Sequence, residues 1–241
     1  MSVRFALLAL VALCVPVTPA TTAASLADFN AAVEAAASHN RGALGYLRTG
    51  NTDLATLELE RLQAAWAAVV DRFGHDRPDA FDPTLYAETV TNIGASLVAA
   101  DMFLRSGRPD ATATALVGMR DALSNLRRRS GVTVLADCVL DANAAMRALG
   151  ALDRPPLDWS KPTTASQLSG TAEDYRRHLQ RCDAMAPADV KDNPEFRRLI
   201  DGALASLALV PKAVATRDDD LFHRIVIELD AFDHLLAFRF G

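Results

Sequence analysis

Residues 83–131 read PTLYAETVTNIGASLVAADMFLRSGRPDATATALVGMRDALSNLRRRSG, and residues 193–241 read NPEFRRLIDGALASLALVPKAVATRDDDLFHRIVIELDAFDHLLAFRFG. Laid over each other without a gap, the two stretches echo at an offset of 110 residues. Tyr86 falls on Phe196, Val90 on Ile200, Leu97 on Leu207, Leu104 on Val214, Met119 on Leu229 and Leu126 on Leu236. Asp110 meets Asp220, Arg129 meets Arg239 and Gly131 meets Gly241. Amphipathic helices in phase match apolar to apolar by periodicity alone. Shared breaks at 106–109 and 216–219, and a shared Arg-x-Gly ending, are not supplied by periodicity. Internal similarity decides architecture before any motif does, and it implies one helical bundle written twice.

Working outward, nearly every segment repeats apolar residues at helical spacing. Leu26, Phe29, Val33, Ala36, Leu44 and Leu47 mark a first helix, and Leu54, Leu57, Leu62, Val69 and Phe73 a second. Gly50 between them suits a helix C′ position, with a capping residue just beyond. Helices three and four follow, broken at Ser106–Pro109. The second set opens with a helix over 133–149. The Pro- and Ser/Thr-rich stretch 151–170 predicts a long loop, and a sixth helix spans 171–186. Asn193-Pro194-Glu195 is a cap, a proline at the first helical position and an acid, which together start the seventh helix. Pro211 predicts a kink in it, and Asp218-Asp219-Asp220 opens the eighth. The expected fold is all-α: two tandem four-helix bundles, 25–131 and 132–241, or one fused eight-helix bundle.

The ends and the composition bound the compartment. Arg4 followed by the apolar run Phe5–Val15, then Pro16, Pro19 and small residues, reads over 1–24 as a cleavable signal peptide. Cleavage after Ala20 or Ala24 leaves 221 or 217 of the 241 residues. A periplasmic or secreted chain is expected, with no second apolar run of membrane length. The formal net charge of −5 argues against nucleic acid, which selects a basic surface. Arg127-Arg128-Arg129 sits at a predicted helix end, where positive charge complements the dipole.

Two cysteines remain in the exported chain, in an oxidising compartment. Cys138 lies 12 residues before the 150–170 connection and Cys182 about 11 after it. At 1.5 Å per residue both stand roughly 17–18 Å from the turn, so a disulfide is geometrically reasonable. Two buried thiols are the alternative.

Gly45-Tyr46-Leu47-Arg48-Thr49-Gly50-Asn51-Thr52-Asp53-Leu54-Ala55 resembles the middle of a tetratricopeptide repeat. The match stops there, because the 34-residue period is missing, and the segment reads as a helical hairpin turn. The layout of two helical sets, with a last helix ending in an aromatic and an arginine, resembles the cytochrome c′ family. That resemblance implies haem held by Cys-x-x-Cys-His-x-x-aromatic-Arg in the last helix. Aligned on Arg239, this chain offers Ala231, His234, Leu235 and Phe238; aligned on Arg129, it offers Asp121, Ser124, Asn125 and Arg128. Neither copy keeps the thiols or the ligand histidine, so covalent haem c is excluded. Non-covalent haem on His234 stays open, although Met146, the candidate partner, lies near the end of the fifth helix rather than its start.

His223, Asp230 and His234 share one stripe of the last helix, one turn beyond Asp219, and could each offer a metal ligand. The bland reading is a solvated helix face with an i,i+4 pair between Asp230 and His234. His39, Asn40 and Arg41 lie where hairpin geometry brings them near Glu58 and Arg61, predicting a polar network between helices one and two. No phosphate loop, nucleophile elbow or zinc spacing occurs. The leading expectation is therefore a non-catalytic module binding a protein or small-molecule partner. A haem- or metal-binding electron-transfer protein is the second reading, and an enzyme without a recognisable motif the third.

Overall fold

The computed structural model describes residues 25–241, so the signal-peptide reading over 1–24 lies outside the described residues. Among the described residues every regular element is a helix. In chain order they are α1 (Leu26–Arg48), α2 (Thr52–Phe73), α3 (Pro83–Arg105), α4 (Pro109–Arg129), α5 (Leu135–Gly150), α6 (Pro162–Met185), α7 (Ala188–Lys191), α8 (Pro194–Leu207), α9 (Val210–Thr216) and α10 (Asp219–Phe240). The all-α expectation holds. Helix starts carry side-chain caps where the sequence offers them: Ser25, Asn51, Asp82, Asn193 and Asp218 each accept a backbone N–H of the following turn.

Helices α1–α4 pack as a ring in which α1 meets α2 and α4, and α3 meets α2 and α4. The second ring is made by α5, α6, α8 with α9, and α10. Each ring encloses its own core. The first includes Phe29, which meets the Phe73 ring edge-on at 5.4 Å and the Phe81 ring at 5.2 Å. The second gathers Tyr175, Phe196, Phe222 and Leu229.

The echo is visible in the burial pattern. Tyr86/Phe196, Ile93/Ala203, Leu97/Leu207, Ala100/Val210, Leu116/Val226, Met119/Leu229 and Leu126/Leu236 are all buried. It also runs upstream of the quoted stretch. Phe29/Val139, Ala36/Met146, Leu62/Ala172 and Val69/Leu179 are buried pairs at the same offset. Helices α2 and α6 begin 110 residues apart, at Thr52 and Pro162.

That start at Pro162 corrects the sequence reading, which kept 151–170 as a loop and began the helix at 171. Proline fits the first turn because its missing N–H needs no partner there. The Ser/Thr-rich turn that follows is exposed. Its hydroxyls bond back to the helix, Ser166 Oγ to Thr163 O at 2.9 Å and Thr171 Oγ1 to Gln167 O at 2.8 Å. Its apolar residues keep the helical phase, Leu168 and Ala172 both being buried. The expected kink at Pro211 is a full interruption, at Ala208 and Leu209 between α8 and α9.

The expectation of no second apolar run is also corrected. Pro194–Thr216 is long and apolar enough, by length and composition, to cross a bilayer. Here its apolar side is a core face, with Phe196, Leu199, Ile200, Ala203 and Leu207 buried against α6 and α10.

Cys138 and Cys182 form a disulfide with Cα atoms 5.5 Å apart, joining α5 to α6. The remaining connection, 151–161, is fastened to the start of α10. Asp219 accepts from Leu157 N at 2.9 Å and from Trp159 Nε1 at 2.5 Å, and His223 Nδ1 meets Asp153 Oδ2 at 2.7 Å.

Candidate functional site

The two helix rings meet along a seam built by α1 and α4 on one side and α5 and α10 on the other. Gly45 of α1 faces the Phe238 ring of α10 across it, and a Cβ there would be in ordinary contact at 3.4 Å. Arg41 Nη1 donates to Gly241 O at 2.5 Å and Arg41 Nη2 to Glu34 Oε1 at 2.6 Å. Asn40 Nδ2 donates to Leu116 O at 3.3 Å.

The α4–α5 side is held by charge. Arg127 donates from Nε and Nη2 to the two oxygens of Asp137 at 2.8 and 2.7 Å, with both side chains almost fully buried. Arg128 pairs with Asp141 at 2.9 Å nearer solvent. The three arginines do occupy the last turn of α4, as expected, and Arg127 has in addition a buried partner in Asp137. A helix end facing a second helix set across a short turn is not a free end.

Two cavities open on this seam, of about 370 and 470 Å³, within the range of small-molecule sites. Asn40, Arg41, Arg120 and Gly241 line both, so this polar group stands between them. A third space of about 580 Å³ adjoins the second across Gly45, Arg48, His234 and Phe238. At its wall His39 Nδ1 meets Glu58 Oε2 at 2.7 Å, and Arg61 donates to Glu58 Oε1 at 2.8 Å. Burial would raise the Glu58 carboxyl, but the hydrogen bonds and positive charge of His39 and Arg61 hold it below its ordinary value. Of the three α1 residues expected in a polar link to α2, His39 makes it; Asn40 turns instead to Leu116 on α4 and Arg41 to the seam.

Arg120 is the centre of the arrangement. Nη1 donates to Asn143 Oδ1 at 2.8 Å, while Nε and Nη2 are buried without a protein partner. Burial pushes its pKa down to about 10. The charges of Asp233 and Asp121 oppose that shift, and the neighbouring Arg41 and Arg147 add to it. Asn143 then leads inward to Asp233, a buried carboxylate in the second core. Tyr175 Oη donates to Asp233 Oδ1 at 3.2 Å. The Asn143 amide nitrogen lies near the same carboxylate without a hydrogen bond of normal geometry. Desolvation raises the Asp233 pKa, and Asp230 adds to that, against the lowering effects of Asn143, Tyr175 and His234. Burial likewise raises the Tyr175 phenol, with Asp233 beside it acting in the same direction.

This polar line escaped the sequence reading, yet the 110-residue offset carried a signal for it. Asn143 and Asp233 stand where the first copy has Val33 and Leu123, both buried and apolar. A comparison of the copies position by position marks them as the places where the second core departs from the first.

The candidate ligand stripe on α10 is divided between two pairings, one of them the i,i+4 pair expected of a solvated face. His234 pairs with Asp230 at 3.1 Å, both more than half exposed, and His223 faces Asp153 instead. Among the described residues no three His, Cys, Asp or Glu side chains cluster as metal ligands. His234 does line the second and third cavities, whereas Met146 is enclosed in the second core.

The Asp233 shift has a testable sign. The folded carboxyl keeps its proton to higher pH than the unfolded one. Its contribution therefore turns unfavourable as pH rises from the ordinary Asp range through the elevated folded pKa, and the full cost persists above it. Asp233→Asn retains an acceptor for Tyr175 and removes the charge. Urea midpoints of the variant should exceed those of the parent at about pH 8, with the gap closing towards about pH 4. In melting experiments each kcal/mol relieved is worth about 2–4 °C. An equal gap at both pH values would show that desolvation of this carboxylate is not what the substitution relieves.

No family model, curated protein or solved structure matches this chain.

Proposed function

We propose that this chain is an exported, non-catalytic binding module that holds a small molecule in the seam between its two helix sets. One observation carries the reading. Buried polar atoms without protein partners gather on the seam cavities: Asn30 Oδ1, Asn40 Oδ1, Arg41 Nε, and Arg120 Nε and Nη2. Buried polar groups in folded proteins are almost always hydrogen-bonded, and leaving one unmade costs about 1–3 kcal/mol, more where it is charged. Such atoms at the wall of a cavity of ligand size support a site whose occupant completes the bonding. The export part of the proposal rests on the signal-like segment 1–24, and the disulfide is in keeping with an oxidising compartment.

A neutral fluorescent probe tests the location. N-phenyl-1-naphthylamine should brighten on mixing with the protein. Ala37→Trp, which fills the first cavity, or Leu44→Trp, which fills the second, should reduce the signal several-fold while helical circular dichroism is unchanged. Undiminished brightening in both folded variants places the binding elsewhere and overturns the reading.

A further inference from the structure

We infer that the seam takes an amphipathic anion, with a carboxylate or phosphate head on the Arg120 guanidinium and an apolar body in the adjoining cavity. The inference rests on the seam being the binding site and adds the chemical class of its occupant.

The two cavities differ in character, and that difference defines the ligand. Around the second stand Arg41, Arg48, Arg120 and Arg147, with Asp121 the one acidic side chain and His234 the remaining titratable side chain. This concentration of positive charge occurs in a chain whose formal net charge is −5, so it does not reflect the average surface. The first cavity presents Val33, Ala37, Met119, Leu123, Leu135 and Phe240. Its charged members are mostly engaged: Arg127 by Asp137, Arg239 by Glu195, and Glu34 by Arg41. An apolar chamber and a cationic one thus share a wall, and Arg120 is on that wall.

Arg120 is the group best placed to receive the head. Its Nε–H and the two N–H bonds of Nη2 are donors without protein acceptors. A guanidinium presents such donors as a planar fork that matches two oxygens of a carboxylate or phosphate. Asp233, a buried acid, acts on Arg120 through space and accepts from Tyr175 instead. Arg41 cannot take the same role alone, because Nη1 and Nη2 are committed to Gly241 O and Glu34. A neutral alcohol would supply one oxygen and leave the charge uncompensated. A free inorganic anion would leave the apolar chamber unused.

Calorimetric titration of the oxidised protein with four probes separates these cases: decanoate, decyl phosphate, decanol and inorganic phosphate. Decanoate and decyl phosphate should bind, with decanol weaker by about ten- to hundredfold and inorganic phosphate weaker still. Arg120→Met should weaken decanoate by a similar factor and leave decanol unchanged. Arg147→Gln, nearer solvent, should weaken decanoate less and make its affinity less dependent on salt. If decanol binds as tightly as decanoate, or if both arginine variants keep the parent affinity for decanoate, the anionic head is disproved while the seam site stands. If inorganic phosphate matches decyl phosphate, the apolar body is disproved. If no probe binds and the naphthylamine probe also fails, the seam reading falls together with this one.

Discussion

Reduction of the Cys138–Cys182 disulfide should destabilise the protein by about 4 kcal/mol. The bridge closes a loop with a sequence separation of 44, and the chain-entropy relation for a loop of that length gives about 4 kcal/mol at room temperature. Both sulfurs lie in the second core, where Cys138 and Cys182 are fully buried. The reduced pair therefore still packs as two small apolar groups, and the loss falls mainly on the unfolded chain. Cys138→Ala with Cys182→Ala should lower the urea-extrapolated stability by about that amount and the melting temperature by about 8–16 °C. The parent measured with reductant should fall to the same level. A stability unchanged by reductant, with both thiols then titrating as free, would show that the bridge adds nothing to the fold. Because the bridge joins α5 and α6, helices of the second set should lose hydrogen-exchange protection before those of the first.

Breaking the Arg127–Asp137 pair from one side should cost about 3–5 kcal/mol, the range for a buried ion pair deprived of a partner. Arg127 and Asp137 side chains are 5% and 2% exposed, so water cannot replace the missing ion. Asp137 also accepts Val134 N at 3.2 Å, which caps the start of α5 on its own carboxylate. Arg127→Met leaves a buried carboxylate, and Asp137→Leu leaves a buried guanidinium and removes that N-terminal contact as well. The double replacement leaves neither charge and should recover much of the loss, because a well-packed apolar pair of similar volume is often neutral. Urea unfolding of the two single variants and the double variant forms a cycle. Single losses below about 1 kcal/mol that simply add in the double variant would deny the pair its structural role.

The sequence made the helices legible because their apolar residues recur at helical spacing and the starts of α1, α2, α3, α8 and α10 carry Ser, Asn or Asp caps. Legibility failed where composition and context disagreed. Pro162 through Thr171 has the residues of a loop, but proline is harmless in a first turn and the hydroxyls bond back along the helix. Arg127 has the position of a helix end facing water; only the path of the chain after Gly131 puts Asp137 against it. The candidate site was less visible still. Arg120 on α4 is distant in sequence from the adjacent Asn40 and Arg41 on α1, and no spacing within one helix announces that they share a wall. The polar substitutions Asn143 and Asp233 were readable in principle, since their counterparts Val33 and Leu123 are apolar, but core positions had to be known before that contrast had meaning. The α10 stripe shows the opposite case, in which helical spacing aligned His223, Asp230 and His234 and tertiary structure gave His223 a different partner, Asp153.

The position of the disulfide also governs what a protease can accomplish. Its two cysteines bracket the connection 151–161, the stretch without regular helix that joins α5 to α6. Both basic residues there, Arg154 and Lys161, are followed by proline, a bond that trypsin-like enzymes cleave poorly. An enzyme of other specificity that nicks this segment severs one peptide bond but releases no fragment, because the bridge spans the cut. The two pieces stay covalently joined until a reductant arrives, so damage there leaves the α5–α6 pairing beside the seam in place.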